Sequence, residues 1–240
     1  MTTFVWKKYI EVAEARSQVY GLLSTFYLEL PDLKLLEGIF DAKFQHHFSS
    51  IVSEFQTAGI KEGLELLAGF AAAFRTHPRE DVLKLISIDR TRLLRGVSQQ
   101  YSPPPPYESV YRDDRLWGKS TEEVSQICGR LGVKLSQELS EPPDYIGIEL
   151  DLMQLICSSE KEAWQTGGID KAREYLEVGN EFLRKHVLQW VPEFCEQMYR
   201  RADLDFYRGI SRLTRGFVEY DSRLVEHQVN DIKQKLVWES

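Results

Sequence analysis

Between Glu138 and Asp151 the chain carries five carboxylates, Glu138, Glu141, Asp144, Glu149 and Asp151, and neither Lys nor Arg. Acidic side chains collected without resident cations suit two kinds of chemistry. Neighbouring carboxyls can pass a proton in acid/base catalysis, and a carboxylate can receive a guanidinium through charge-assisted, bidentate hydrogen bonds. Glu141, Asp144 and Glu149 are the acid/base candidates. The plainer reading of the same three is that they cap helices, pair with cations or face solvent. Pro142 and Pro143 stop whatever precedes them, so the acidic turn is a rigid place to receive something basic.

Other chemistries have weaker signatures. Gly118-Lys119-Ser120 has the ending of a phosphate-binding loop, but the glycine such a loop needs five residues before Gly118 is Asp113, and no strand pattern precedes it. His46 and His47 are adjacent and on a helix would point about 100° apart, while His77, His186 and His227 are isolated. All five read as surface or capping histidines rather than metal ligands. Cys128, Cys157 and Cys195 are far apart, odd in number and without a Cys-x-x-Cys pair, as expected of inert thiols in a reducing compartment. No Gly-x-Ser-x-Gly elbow marks a nucleophile. Arg208, Arg212 and Arg215 share one helix face; they either dock an anion or lie solvated among acidic neighbours, and the second is expected.

The elements that must position these residues are helical. Apolar residues recur at three- and four-residue steps over 5–30, and Pro31 ends that helix with Asp32 placed to cap the next, through Phe40. Further amphipathic stretches cover 46–55 and 60–74, joined around Ala58-Gly59, then 79–94 with Val82, Leu85, Ile86 and Leu93 inward. Four consecutive prolines, Pro103 to Pro106, then impose a stiff extended segment inside the longest irregular connection of the chain. Tyr101, Tyr107, Tyr111 and Trp117 surround it beside Glu108, Asp113 and Asp114. This loop either offers recognition surface or folds back on its own core. Helix resumes near Ser120, which has capping-box spacing to Glu123, and ends at Gly132. Asp144 stands where a helix N-cap belongs, ahead of an apolar run with one face of Ile146, Leu150, Met153 and Cys157 and another of Ile148, Leu152 and Leu155. Such a helix is central and buried. Ile169 to His186, Val187 to Tyr199 with Pro192 at a helix start, a helix capped by Asp203 through Tyr220 and a last amphipathic stretch to about Trp238 complete an all-α chain of roughly ten helices.

With 240 residues, 42% hydrophobic and 28% charged, the chain can bury a substantial core. Its net charge of −7 argues against nucleic-acid binding and is compatible with a cationic peptide partner. Neither a signal-peptide core nor a run of 18 apolar residues occurs, so a cytoplasmic location without membrane insertion is expected. One domain over 1–240 is expected, with N-terminal helices about 5–95, a Pro-rich loop about 96–118 and C-terminal helices about 120–238.

Two segments together, Pro106-Tyr107-Glu108-Ser109-Val110-Tyr111 and Glu141-Pro142-Pro143-Asp144-Tyr145-Ile146-Gly147-Ile148-Glu149-Leu150, resemble the paired signatures of the TorD/DmsD/NarJ-type redox-enzyme maturation chaperones. Asp89 to Leu94, the helix with Arg16, Tyr20, Leu23 and Phe26, and Phe182 to His186 with Trp190, Pro192 and Phe194, then Asp205-Phe206-Tyr207, resemble the family's flanking segments. The resemblance spans about residues 10 to 221. It implies an all-helical cytoplasmic chaperone, not an enzyme, that binds the twin-arginine signal peptide and catalytic subunit of a molybdopterin-dependent oxidoreductase, assisting cofactor insertion before export. It implies neither metal nor cofactor of the chaperone's own, and a monomer or helix-swapped homodimer. Carried over, the recognition region comprises Tyr107, Glu108, Ser109, Tyr111 and Trp117 on one segment and Glu141, Pro143, Asp144, Tyr145 and Glu149 on the other. The family's usual Asp-His is here Asp144-Tyr145, and a phenol cannot become a cation near neutral pH. Two alternatives stand beside this reading: a guanine-nucleotide-binding protein or hydrolase of the same pathway, and a helical scaffold without a specific client.

Overall fold

Asp32 performs the task its position suggests: its side chain accepts the N–H of Leu35 at 2.7 Å and opens a short helix just beyond Pro31. The computed structural model describes residues 2–41, 55, 57–95, 102–133 and 141–238, and these form an all-α architecture. In chain order the helices are α1 (Thr2–Leu28), α2 (Leu33–Phe40), α3 (Ala58–Ala73), α4 (Arg79–Leu94), α5 (Glu108–Arg112), α6 (Lys119–Arg130), α7 (Ile146–Gln165), α8 (Ile169–Phe182), α9 (Leu188–Arg201) and α10 (Asp205–Trp238). The expected helix over 46–55 lies outside the described residues except for Phe55. Ala58-Gly59 is not a joint: it is the first turn of α3, behind the cap that Thr57 supplies to Ile60. Among the described residues no strand forms, and the one isolated β-bridge joins Tyr107 to Tyr145.

α7 is the central helix. It lies along α1 in the most extensive helix pairing of the fold and also packs on α8. Ile146, Leu150, Met153 and Cys157 are wholly buried, and Ile148 and Leu152 nearly so, which completes the two expected faces apart from Leu155, 42% exposed. Leu85 of α4, expected inside, is also exposed, while Val82, Ile86 and Leu93 point inward. Each fully buried aliphatic side chain contributes about 1.5–3 kcal/mol. α3 and α10 approach backbone to backbone: a Cβ on Gly63 would lie 2.9 Å from Gly209 O, and one on Gly216 2.9 Å from Ile60 N.

Two buried ionic devices tie distant segments. Arg16 of α1 donates through Nε and Nη2 to the Asp221 carboxylate of α10, at 2.7 and 3.2 Å, and through Nη1 to Glu160 of α7 at 2.8 Å. Tyr20 Oη and Trp164 Nε1 donate to the same two carboxylates. Asp89 of α4 caps α10 from a distance, accepting the N–H groups of Asp203 and Leu204 at 3.3 and 3.0 Å. The expected local cap, Asp203, is thus the residue being capped. Between α8 and α9 the rod widens into one π turn, Leu183–Val187. Pro192 falls inside α9 rather than at a helix start. Cys128, Cys157 and Cys195 are buried free thiols.

Candidate functional site

Proline geometry builds the first half of the site. Residues 102–106 form no helix or strand, with Pro103 and Pro106 buried and Pro104 exposed; Tyr107 N turns back to Pro105 O at 2.9 Å, and Tyr111 Oη donates to Pro104 O at 3.2 Å. The Tyr111 ring packs 5.4 Å from that of Trp190, so this loop does fold back on its own core. The second half is the turn from Glu141 to Tyr145. The two halves zip together as a strap: Glu108 N donates to Asp144 O at 2.9 Å, and Ile146 N to Pro106 O at 3.0 Å. The rings of Tyr107 and Tyr145 lie 5.3 Å apart.

Asp144 caps a helix, but not the one its sequence position suggests. α7 starts after Tyr145 without a side-chain cap, and Tyr145 O accepts the N–H groups of Ile148 and Glu149. The Asp144 carboxylate instead accepts Ser109 N at 2.8 Å and so caps α5, on the other half of the strap. Ser120 likewise does not open α6 by a capping box: its own N–H donates to Asp113 Oδ2 at 2.8 Å. That N–H, the one a phosphate-loop reading would aim at an anion, is therefore taken by a carboxylate. The staple draws Asp114 and Trp117 into left-handed backbone, at φ 55° and 58°, and leaves the Trp117 ring 65% exposed.

Behind the strap three carboxyl groups are wholly buried: Glu108, Asp144 and Glu149. Glu108 faces His186 Nδ1 at 2.9 and 3.2 Å and pairs with Arg112, whose guanidinium also donates to Lys185 O at 2.9 Å. Glu149 accepts Trp190 Nε1 at 3.0 Å through one oxygen; among the described residues no N–H or O–H donor reaches the other, nor Asp144 Oδ1. Desolvation first, and then the charge of Glu108, hold the Glu149 pKa well above the ordinary carboxylate range. Protonation turns the unmatched Glu149 oxygen into a donor toward Glu108.

At the rim, Tyr107 Oη donates to Glu141, whose other oxygen takes Arg95 Nη1 at 2.5 Å. Tyr145 is buried and donates to Tyr27 O at 2.8 Å; desolvation pushes its pKa up to about 12. Of the sequence-predicted site residues, Glu108, Ser109, Pro143, Asp144 and Glu149 are buried, as nearly are Tyr107 and Tyr145; Glu141 and Tyr111 are half-buried and Trp117 is exposed. The structure brings both segments together and places most of their carboxylates inward. Sequence reasoning missed His186, read as surface or capping, together with Trp190, Arg112 and Arg95 as partners of the acids. His186 stands 78 residues from Glu108, and no local pattern links them. Arg208, Arg212 and Arg215 pair with Asp205, Glu62, Glu196 and Glu219, the solvated acidic neighbourhood expected. His46, His47, Tyr101 and Glu138 lie outside the described residues.

A family model described as Nitrate reductase delta subunit matches residues 57–196. The chain is 30% identical over 215 residues to a chaperone protein TorD of Vibrio cholerae serotype O1 (strain ATCC 39315 / El Tor Inaba N16961), spanning 89% of this chain and 93% of that one. It is 24% identical over 228 residues to a chaperone protein TorD of Shewanella pealeana, spanning 91% and 93%. A crystal structure of a proposed redox enzyme maturation protein from Archaeoglobus fulgidus matches 85% of this chain and 93% of its own, at 18% identity and a TM-score of 0.47.

Proposed function

We propose that this chain, which belongs to the TorD/NarJ family of redox-enzyme maturation chaperones, is a cytoplasmic chaperone that holds the catalytic subunit of a molybdopterin-dependent oxidoreductase by its twin-arginine signal peptide until the cofactor is in place. The observation that carries this reading is the strap: the two segments that resemble the family's signatures, 35 residues apart, are joined by the Ser109–Asp144 bond. The buried acids hold the strap's shape, and its rim meets the peptide. Glu141 is the receiving carboxylate there. It already binds one guanidinium, that of Arg95, whose side chain is 53% exposed. An arginine of the peptide can take the place of Arg95, because an exposed ion pair holds its partner weakly. Trp117 and Tyr111 supply apolar surface for the segment after the arginines.

The test is fluorescence anisotropy with a labelled twin-arginine peptide and its twin-lysine counterpart. Saturable micromolar binding is expected, weaker for lysine, which cannot bind a carboxylate in bidentate fashion, and weaker as salt rises. If the folded chain ignores both peptides at every salt concentration, the proposal fails.

A further inference from the structure

Arg112 and His186, the partners of Glu108, line a cleft of about 450 Å³ between α6 and the end of the α8 rod. Arg112 and Lys119 stand at one end of α6, Arg130 at the other, and Arg184 and Lys185 of the π turn oppose them. Five cations line it against two carboxylates, Glu123 and Glu181; Arg112 and Arg184 also pair with Glu108 and Glu226 outside the lining, so the lining itself is locally basic on a chain whose net charge is −7. Both carboxylates are held below their usual range, Glu123 first by its hydrogen bond from Lys119 and Glu181 first by that from Lys185. Ile127 and the ring of His186 also line the hollow.

We infer that this cleft binds an extended acidic polypeptide segment, at a site separate from the strap rim. Charge complementarity sets the sign of the ligand, and the arrangement of donors sets its class. Compact phosphate groups are held by converging backbone N–H groups at a turn or helix start. Here the N–H nearest that role, Ser120's, is already bound to Asp113. The cations are instead borne singly on long side chains along both walls. Lys119 and Lys185 are each tied to a carboxylate one turn away on the same helix, at 2.9 and 2.5 Å. Such exposed pairs are weak and exchangeable, so carboxylates spaced along a peptide can replace Glu123 and Glu181 as partners. Gln126 and Gln189 also line the cleft, and a side-chain amide carries both a donor and acceptors for a peptide backbone.

A fluorescein-labelled decapeptide of alternating Glu and Gly, titrated with the full chain at low ionic strength, tests this by anisotropy, with inorganic pyrophosphate titrated by calorimetry in parallel. Saturable one-to-one peptide binding is expected, despite the net negative charge of both molecules, with at least a tenfold loss on reaching physiological salt. Arg184→Glu with Lys185→Glu should reduce affinity at least tenfold. Both side chains are more than 60% exposed, so the fold survives, as an unchanged unfolding midpoint checks. Lys84→Glu, a reversal at an exposed position on α4, should change it less than twofold. Equal losses from both reversals would reduce the effect to net charge and overturn the proposal. So would the absence of saturable peptide binding, or tight pyrophosphate binding without it. The twin-arginine peptide serves as internal reference: its binding should survive the Arg184/Lys185 reversal, which separates this cleft from the strap rim.

Discussion

Arg16 and Glu108 are both wholly buried, and each gathers elements far apart in the chain, yet their surroundings differ in kind. Around Arg16 all three guanidinium nitrogens have acceptors, and both acceptor carboxylates have a second donor in Tyr20 or Trp164. Around Glu108 the carboxylate oxygens outnumber the donors. Among the described residues no N–H or O–H reaches one oxygen each of Asp144 and Glu149, and Ser109 Oγ is unmatched as well. A saturated buried network rigidifies what it joins, whereas an unsaturated one stays sensitive to any proton or donor that arrives. The first cluster therefore fixes the bundle of α1, α7 and α10, and the second sets how firmly the strap is held.

The largest effect should come from breaking the saturated cluster. Arg16→Met leaves Asp221 and Glu160 buried without their cation, which costs about 3–5 kcal/mol and should appear as a large drop in the urea midpoint. A loss below about 1 kcal/mol would mean water reaches the site. Asp144→Ala comes next. It strands Ser109 N–H, worth about 1–3 kcal/mol, and should open residues 102–118 to proteolysis well before the helices. Asp144→Asn, which keeps an acceptor, should lose less. Uniform proteolysis across the chain would show that the strap is not a separate unit.

Glu149→Gln isolates the proton. In the unfolded chain Glu149 titrates near 4.5, and in the fold its pKa is raised. The folded state then binds the proton more tightly, so this group makes stability fall as pH climbs from its unfolded value toward its folded one. Glu160 and Asp151 are shifted the same way, so the variant must be read against wild type. The stability difference, variant minus wild type, should grow from pH 5 to pH 8. A flat difference would place an ionised Glu149 in the fold. The smallest effect on stability is expected from Glu141→Gln at the rim, below about 1 kcal/mol, while affinity for the twin-arginine peptide falls several-fold. Unchanged peptide affinity would move recognition away from Glu141.

Much of this was readable in the sequence, and the failures share one cause. Pro31, Pro78 and Gly132 mark helix ends by backbone geometry, and the faces of α7 follow from its periodicity, so local rules sufficed. Asp144, Asp203 and Ser120 all sit in good capping positions, yet Asp144 caps a distant helix, Asp89 caps α10, and Asp113 takes the Ser120 N–H. A cap needs only a carboxylate near the N–H, and the fold can supply it from any segment. The acidic Glu141 to Tyr145 turn was legible as a place where acids gather. That Glu108 and Glu149 would face inward depended on His186, Arg112 and Trp190, whose approach is set by tertiary packing and the π turn.

The three cysteines allow that packing to be timed. Thiolates, not thiols, react with alkylating reagents. Burial pushes Cys128 up to about 11 and Cys195 up to about 12, and Cys157, deepest among charged neighbours, higher still. In the folded chain each thiol is both covered and protonated, so alkylation must wait for a local opening and its rate reports the frequency of that opening. Cys128 lies in the α6 wall, Cys157 in α7 beside Arg16, and Cys195 in α9 within reach of Tyr27. The natural chain thus carries three clocks in three layers. Cys128 should run fastest, and Cys157 should keep pace with unfolding of the whole molecule.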